Sequence, residues 1–234
     1  MIRVATGLPL DAGAARVALD DSERHHLRVR RVAVDAPVEV LDGQGAVASG
    51  RLAADDGAWY VAVDTVRRIP RPAPLVLLVG AGDRDRMAGL VEKAQELGVT
   101  RLVPVLTAAA ASVATRVRDR HVEKLERRAL EAMKQSGAAW RIRIDAPVEL
   151  AAALTAVDTP CRWVADVAGG APPRVAPDAG ATVLVGPEGG LTADEVAQAR
   201  AAGFVSVRLA PHVLRFDTAA LAAAALISVD REGP

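Results

Sequence analysis

The sequence predicts an α/β protein: a mostly parallel, layered sheet with helices on both faces, preceded by a small β-barrel or sandwich. Two observations carry this. From Leu75 onward, continuous apolar runs such as Leu75–Val79, Leu102–Leu106 and Val183–Val185 recur between stretches with helical spacing. Strands buried on both faces read in that way. Before residue 69 the apolar residues instead fall in short spans bounded by turn residues, with alternation at Trp59, Val61 and Val63, the period of a half-buried strand.

Taken in order, Arg16–Leu19 is a first candidate strand. Pro37–Leu41 leads into Asp42-Gly43-Gln44-Gly45, a hairpin turn by composition, and Ala46–Leu52 returns from it. The first 68 or so residues thus read as short strands, and a β-domain is expected over 1–69. Pro70, Pro72 and Pro74 make 70–74 a stiff linker. The second domain is expected over 75–234. In it, Met87, Leu90, Val91, Ala94 and Leu97 lie at helical spacing over Arg84–Leu97, closed by Gly98. A long amphipathic helix is expected over Arg116–Gln135 and a short strand over Trp140–Ile144. A helix near Pro147–Ala156 and a strand near Arg162–Ala165 follow. The chain ends with a helix from Thr192, a strand at Val205–Leu209 and a helix from about Asp217.

Composition limits the function. Of 234 residues, 51% are hydrophobic and only 3% aromatic, so a large core is built from Ala, Val and Leu. Lys+Arg and Asp+Glu are both 29, so a nucleic-acid partner would have to be met by a local basic surface. Cys161 is the single cysteine, which excludes an internal disulfide or cysteine-based metal cluster and reads as a buried thiol. No apolar run approaches the roughly 20 residues of a membrane span, and no charged-then-apolar leader opens the chain. A soluble, cytoplasmic protein is expected.

The chemistry concentrates in two strand–loop–helix passages. In Val183–Arg200, the irregular Gly186-Pro187-Glu188-Gly189-Gly190 sits between a strand and a helix opened by Thr192 and Glu195, a capping box. Open α/β sheets bind ligands at that place, although a tight structural turn would use the same residues. A dinucleotide site is disfavoured: Gly80-Ala81-Gly82 lacks a third glycine, and no acidic residue closes Val105-Leu106-Thr107. In the second passage, Ser206–Ala220, the loop carries Arg215 and Asp217 beside Val213, Leu214 and Phe216. Glycines and backbone amides from one loop and an apolar cradle from the other would make one pocket.

VGPEGGLTADE followed by VRLAPHVLRFDTAA resembles the signature pair of the small-subunit (16S) ribosomal RNA uridine-N3 methyltransferase family, of the SPOUT class. Three further stretches agree: His25–Arg31 with Leu41–Gly45, Met87–Leu106, and Glu131–Gly137. The resemblance spans nearly the whole chain in the correct order. It implies an S-adenosylmethionine-dependent methyltransferase with a trefoil-knotted sheet, a PUA-like RNA-binding barrel at the amino end, a homodimer, and the small ribosomal subunit or its 16S RNA as partner. Neither a membrane nor a metal is implied.

By the same resemblance, Leu184, Gly186, Pro187, Glu188, Gly189, Gly190, Leu209, Val213 and Leu214 would line the cofactor. Arg215 would face the target and stabilise negative charge on the uracil carbonyls, and Glu188 or Asp217 would take the N3 proton. Other readings of these three are an Arg215–Asp217 ion pair and a Glu188 that caps the following helix. Arg24, His25, Arg28, Arg30 and Arg31 would contact RNA. Between Arg116 and Arg143, nine basic residues stand against four acidic ones, a second possible electrostatic contact or a solvated helix face. The chain departs from the family pattern at Ala138, Ala210, Phe216 and Asp217 and in Thr107–Ala111. A divergent paralogue that methylates another target, or none, is therefore the competing reading.

Overall fold

A computed structural model of the chain describes residues 1–55 and 58–232; residues 56–57, and 233–234 at the end of the expected second domain, lie outside the described residues. The chain divides into two compact units, residues 1–71 with 130–141 and residues 72–129 with 142–234. In order, the elements are β1 (Ile2–Ala5), β2 (Arg16–Ala18), α1 (Asp21–Val29), β3 (Pro37–Leu41), β4 (Ala46–Asp55), β5 (Ala58–Arg68), β6 (Leu75–Gly80), α2 (Arg84–Glu96), β7 (Arg101–Leu106), α3 (Val122–Ser136), β8 (Arg143–Ile144), β9 (Val148–Glu149), α4 (Leu150–Thr155), β10 (Cys161–Gly170), β11 (Ala181–Val185), α5 (Ala193–Ala201), β12 (Val205–Val207) and α6 (Phe216–Glu232). Among the described residues, no helix is long and apolar enough to cross a membrane.

The first unit is built on a five-stranded mixed sheet in the order β1-β3-β4-β5-β2. β1 runs parallel to β3, and the other neighbours are antiparallel. The Asp42–Gly45 turn joins β3 to β4. Its shape is set by the Asp42 carboxylate, which accepts from the amides of Gln44 and Ala46 at 2.7 and 2.9 Å, and by positive φ at Gly43 and Gly45.

α1 corrects the expectation that this region holds only short strands. The Asp20 carboxylate caps it, accepting from the Glu23 amide at 2.8 Å. Leu27 is its only fully buried apolar side chain, so helical periodicity is barely visible in the sequence. The segment 130–141 brings Lys134 beside this helix. Its ammonium, nearly sealed from solvent, pairs with Glu23 at 2.9 Å and Glu131 at 2.8 Å. Burial pushes the Lys134 pKa down, but the two carboxylates outweigh it and leave the pKa above the usual lysine value.

The second unit is a seven-stranded sheet running β12-β10-β11-β6-β7-β8, with β9 also paired to β7. Every pairing in it is parallel. Alternate side chains of each strand point to opposite faces, and both faces are covered. Leu75, Leu77, Val79, Val183 and Val185 pack with α2, the first half of α3 and α6. Leu78, Val103, Val164 and Leu184 pack with α4 and α5. α3 begins six residues later than its amphipathic pattern suggested. Arg116 lies in an extended bridge to Asp83, and Asp119–His121 form a single 3-10 turn. The expected strand at Trp140–Ile144 is reduced to Arg143–Ile144, because Trp140 belongs to the first unit, where its indole donates to the carbonyl oxygens of Ile69 and Pro70.

Replacing Lys134 with Met leaves Glu23 buried without a cation, a loss of about 3–5 kcal/mol, whereas the Glu23→Leu/Lys134→Met double variant regains most of it; urea denaturation measures both. Because the folded pKa is raised, the wild-type pair contributes fully below the unfolded lysine value, about 10.4, and its contribution fades as pH rises through the folded value.

Candidate functional site

The parallel sheet ends in a cavity of about 340 Å³ in the second unit. It is lined by Ala165, Asp166 and Val167 of β10, by Val185 to Leu191 after β11, by Val207 to Ala210 after β12, and by His212, Val213, Leu214, Phe216 and Ala219 leading into α6. β11 and β12 thus deliver their carboxyl ends to one concavity, joined by the irregular middle of β10 that lies between them, the position where open α/β sheets bind ligands. The volume lies within the range of small-molecule sites.

Close backbone packing gives the Gly186–Gly190 loop its shape. A Cβ on Gly80 would lie 2.4 Å from Pro187, and one on Gly186 would lie 2.7 Å from the Gly190 carbonyl carbon. No side chain fits at either place. Gly190 takes φ of +75° and its amide donates to the Pro187 carbonyl at 2.8 Å, closing a tight turn. Next comes α5, whose cap is reciprocal: Thr192 Oγ1 accepts from the Glu195 amide at 3.2 Å, and Glu195 Oε2 accepts from the Thr192 amide at 2.8 Å. Glu195 Oε1 also accepts from the Ala108 amide at 2.8 Å, which ties the segment after β7 to the same helix start.

Glu188 is held by a backbone donor. Its Oε1 accepts from the Asp83 amide at 2.9 Å, and its carboxylate covers Gly82, where a Cβ would meet Oε2 at 2.6 Å. It does not cap α5. Asp83 in turn caps α2, accepting from the amides of Asp85 and Arg86 at 3.0 Å each and from the Thr115 hydroxyl at 2.6 Å. The Thr115 hydrogen bond, then that from Arg86, hold the Asp83 carboxyl below the usual carboxylate range.

Of the residues singled out in the sequence, Gly186, Pro187, Glu188, Gly189, Gly190, Leu209, Val213 and Leu214 come together around the cavity. Leu184 does not. It points to the opposite face of β11 and packs with Leu78, Val103 and Val164, while its neighbour Val185 lines the cavity. Arg215 is exposed and outside the lining, between two residues that belong to it, Leu214 and Phe216. Asp217 also lies outside; its Oδ2 is 3.9 Å from Arg86 Nη1, so the alternative Arg215–Asp217 ion pair gives way to one with Arg86.

Arg24, His25 and Arg28 lie on α1 of the first unit, with Arg30 and Arg31 just beyond it. Arg24 pairs with Asp21, Arg28 stacks over Trp59 at 5.6 Å, and His25, Arg30 and Arg31 are exposed. Sequence reasoning missed Asp166, Arg208 and His212 in the lining. Asp166 Oδ1 accepts from the Ala168 amide at 2.9 Å, and Oδ2 lies 3.3 Å from Arg200 Nη2. Its signal was available: it follows the apolar run Trp163-Val164-Ala165, as Gly186 follows Val183-Leu184-Val185.

Residues 70–228 match the family described as the RNA methyltransferase domain. The chain belongs to this RNA methyltransferase family. Ribosomal RNA small subunit methyltransferase E of Aquifex aeolicus (strain VF5) is 28% identical over 214 residues, which cover 89% of this chain and 92% of that protein. The crystal structure of a ribosomal RNA small subunit methyltransferase E from Neisseria gonorrhoeae, bound to S-adenosyl methionine, is similar with a TM-score of 0.84 and 26% identity, covering 98% of this chain and 97% of that one. A probable rRNA-methyltransferase from Porphyromonas gingivalis has a TM-score of 0.79 and 28% identity, covering 92% and 93%. In this RNA methyltransferase the matched span contains the whole cavity lining.

Substituting Gly80 with Ala forces the Pro187 loop outward from β6. Thermal unfolding of the Gly80→Ala variant is expected to show a loss of about 1–3 kcal/mol, typical of an overpacked site.

Proposed function

We propose that this RNA methyltransferase uses S-adenosylmethionine to methylate N3 of a uridine in 16S ribosomal RNA of the small subunit. The cavity where the Gly186–Gly190 loop meets the Leu209–Leu214 loop carries the reading. Its support is the similarity of the chain, along nearly its whole length, to proteins named ribosomal RNA small subunit methyltransferase E, one of them with S-adenosyl methionine bound.

The lining suits that cofactor. Val185, Leu209, Leu214 and Phe216 offer apolar walls to an adenine ring, and the glycine-rich loop offers backbone groups to its polar edge. When bound, S-adenosylmethionine supplies an electrophilic methyl group on a sulfonium. N3 of uridine must lose its proton to become the nucleophile, and the resulting charge spreads over O2 and O4. Of the two candidate carboxylates, Glu188 borders the cavity and Asp217 does not; we assign proton acceptance to Glu188, directly or through water. Its bond to the Asp83 amide fixes its orientation. Arg215 projects from the rim into solvent, where its guanidinium meets the uracil carbonyls as charge builds.

In the same reading, residues 1–69 form a PUA-like RNA-binding barrel, 70–74 a linker and 75–234 a SPOUT methyltransferase domain with a trefoil knot. Arg24, His25, Arg28, Arg30 and Arg31 of the first unit contact the RNA. The enzyme works as a homodimer in the cytoplasm, without a metal. One observation favours a second reading, a divergent paralogue that binds RNA or cofactor but methylates another target or none: a Cβ on Gly189 would lie 2.8 Å from the Cβ of Ala109, so the alanine-rich departure from the family pattern packs on the glycine loop.

Calorimetry with S-adenosylmethionine, followed by transfer of labelled methyl to small-subunit RNA and mapping of the product, tests both. Label on uridine N3 establishes the first reading; cofactor binding with label elsewhere or nowhere establishes the second; no cofactor binding overturns both. Arg215→Ala is expected to lower turnover on the order of 10²-fold while cofactor affinity stays unchanged.

A further inference from the structure

We infer that the second unit holds a separate anion site, in the cleft between the start of α2 and the start of α3, and that it takes a backbone phosphate of the RNA substrate. The assignment of the ligand as RNA rests on the function proposed above; the site itself does not.

The cleft encloses about 270 Å³ and is lined by Arg84, Asp85, His121, Lys124 and Leu125. The 3-10 turn before α3 and its cap hold the imidazole from both sides. The Arg118 amide donates to His121 Nδ1 at 3.1 Å, and Arg120 Nε lies 3.2 Å from His121 Nε2. A neutral imidazole accepts at one nitrogen only, and a protonated one at neither, so this surround opposes the charged ring. Burial first, and then Arg120, Arg84, Arg118 and Lys124 in that order, hold the His121 pKa below the usual histidine value.

Nearby carboxylates do not cancel the field. Asp83 is occupied by Thr115 and the amides of Asp85 and Arg86. Glu123 pairs with Arg127 at 3.2 Å. Asp85, which is largely exposed, reaches Lys124 at 3.6 Å, and Asp119 is the other carboxylate of the turn. Two cations, Arg84 and Lys124, therefore line the open cleft against one carboxylate, Asp85, and Arg118 and Arg120 add positive charge near its imidazole. Since Asp83 already takes the first amides of α2, the guanidinium and ammonium groups are the available donors, a combination suited to phosphate.

The location favours a polymer over a free ion. Arg84 and Lys124 are exposed, so a chain can lie across them. Arg84 follows Asp83, whose amide holds Glu188 on the cavity of the proposed reaction. A base placed at that cavity would thus have its neighbouring backbone near a positively charged rim.

The test pairs two measurements on the full chain. In NMR titrations of the histidine ring signals, assigned with His121→Gln, inorganic phosphate is expected to raise the His121 titration midpoint relative to chloride at equal ionic strength. The Arg84→Gln/Lys124→Gln variant should abolish that response. The same variant should bind small-subunit RNA about tenfold more weakly at 0.1 M salt, with the slope of log affinity against log salt reduced by one to two, and bind S-adenosylmethionine as the wild type does. A His121 midpoint indifferent to phosphate overturns the site. A phosphate response without any change in RNA affinity or slope overturns the RNA assignment and leaves a site for a free anion. If the wild type binds no small-subunit RNA, the proposed function fails and the RNA assignment with it, while the phosphate response still decides the site.

Discussion

The architecture of the candidate site depends on one close approach. Pro187 lies so near Gly80 that a Cβ there would be 2.4 Å away, and Glu188 covers Gly82 while accepting from the Asp83 amide. These contacts join the loop after β11 to the loop after β6, two adjacent parallel strands. The cavity floor is therefore fixed by backbone packing and one charge-assisted hydrogen bond. A side chain at Gly80 would push the glycine loop away from the sheet and change what the cavity can hold, whereas one at Gly82 would displace the Glu188 carboxylate.

That loop is placed by a sheet whose two faces are both filled. The chain has few aromatic side chains, and Ala and Val do the packing. Ala219, Ala220, Ala223 and Ala224 bring α6 close over Leu77, Val79 and Val183, and Trp163 fills the largest volume. The small residues matter because α6 starts at Phe216, which lines the cavity. Close packing of α6 therefore also sets one wall of the site. On the other face, the reciprocal cap at Thr192 and Glu195 anchors the start of α5, with Ala108 tied to the same carboxylate.

The chain balances 29 basic residues against 29 acidic ones, and the structure uses this balance unevenly. Lys134 is buried and matched by two carboxylates, so its charge serves the packing of the first unit. Around His121 the opposite holds: burial and then Arg120, Arg84, Arg118 and Lys124 hold its pKa below the usual histidine value, and donors stand at both ring nitrogens. A net charge of zero therefore coexists with a local field strong enough to attract an anion.

The sequence by itself determined most elements of this protein and the glycine-rich loop that lines its cavity. Unbroken apolar runs mark strands buried on both faces, Asp42–Gly45 marks a hairpin, and Thr192 with Glu195 marks a helix start; each depends on neighbours in the chain. α1 escaped because Leu27 is its only fully buried apolar residue, although Asp20 and Glu23 at capping distance were there to be read. What only the tertiary structure decided is which residues share a surface. Leu184 and Val185 are adjacent in sequence, yet pleating sends one into the core and the other to the cavity. Segment 130–141 joins the first unit because Met133 and Ala139 pack with Ala5, Leu41 and Val47 and Lys134 finds Glu23 more than a hundred residues away. Arg84 and His121 share a cleft because α2 and α3 begin side by side. Local spacing carries no information about such pairings, since they arise from packing and charge between segments far apart in the chain.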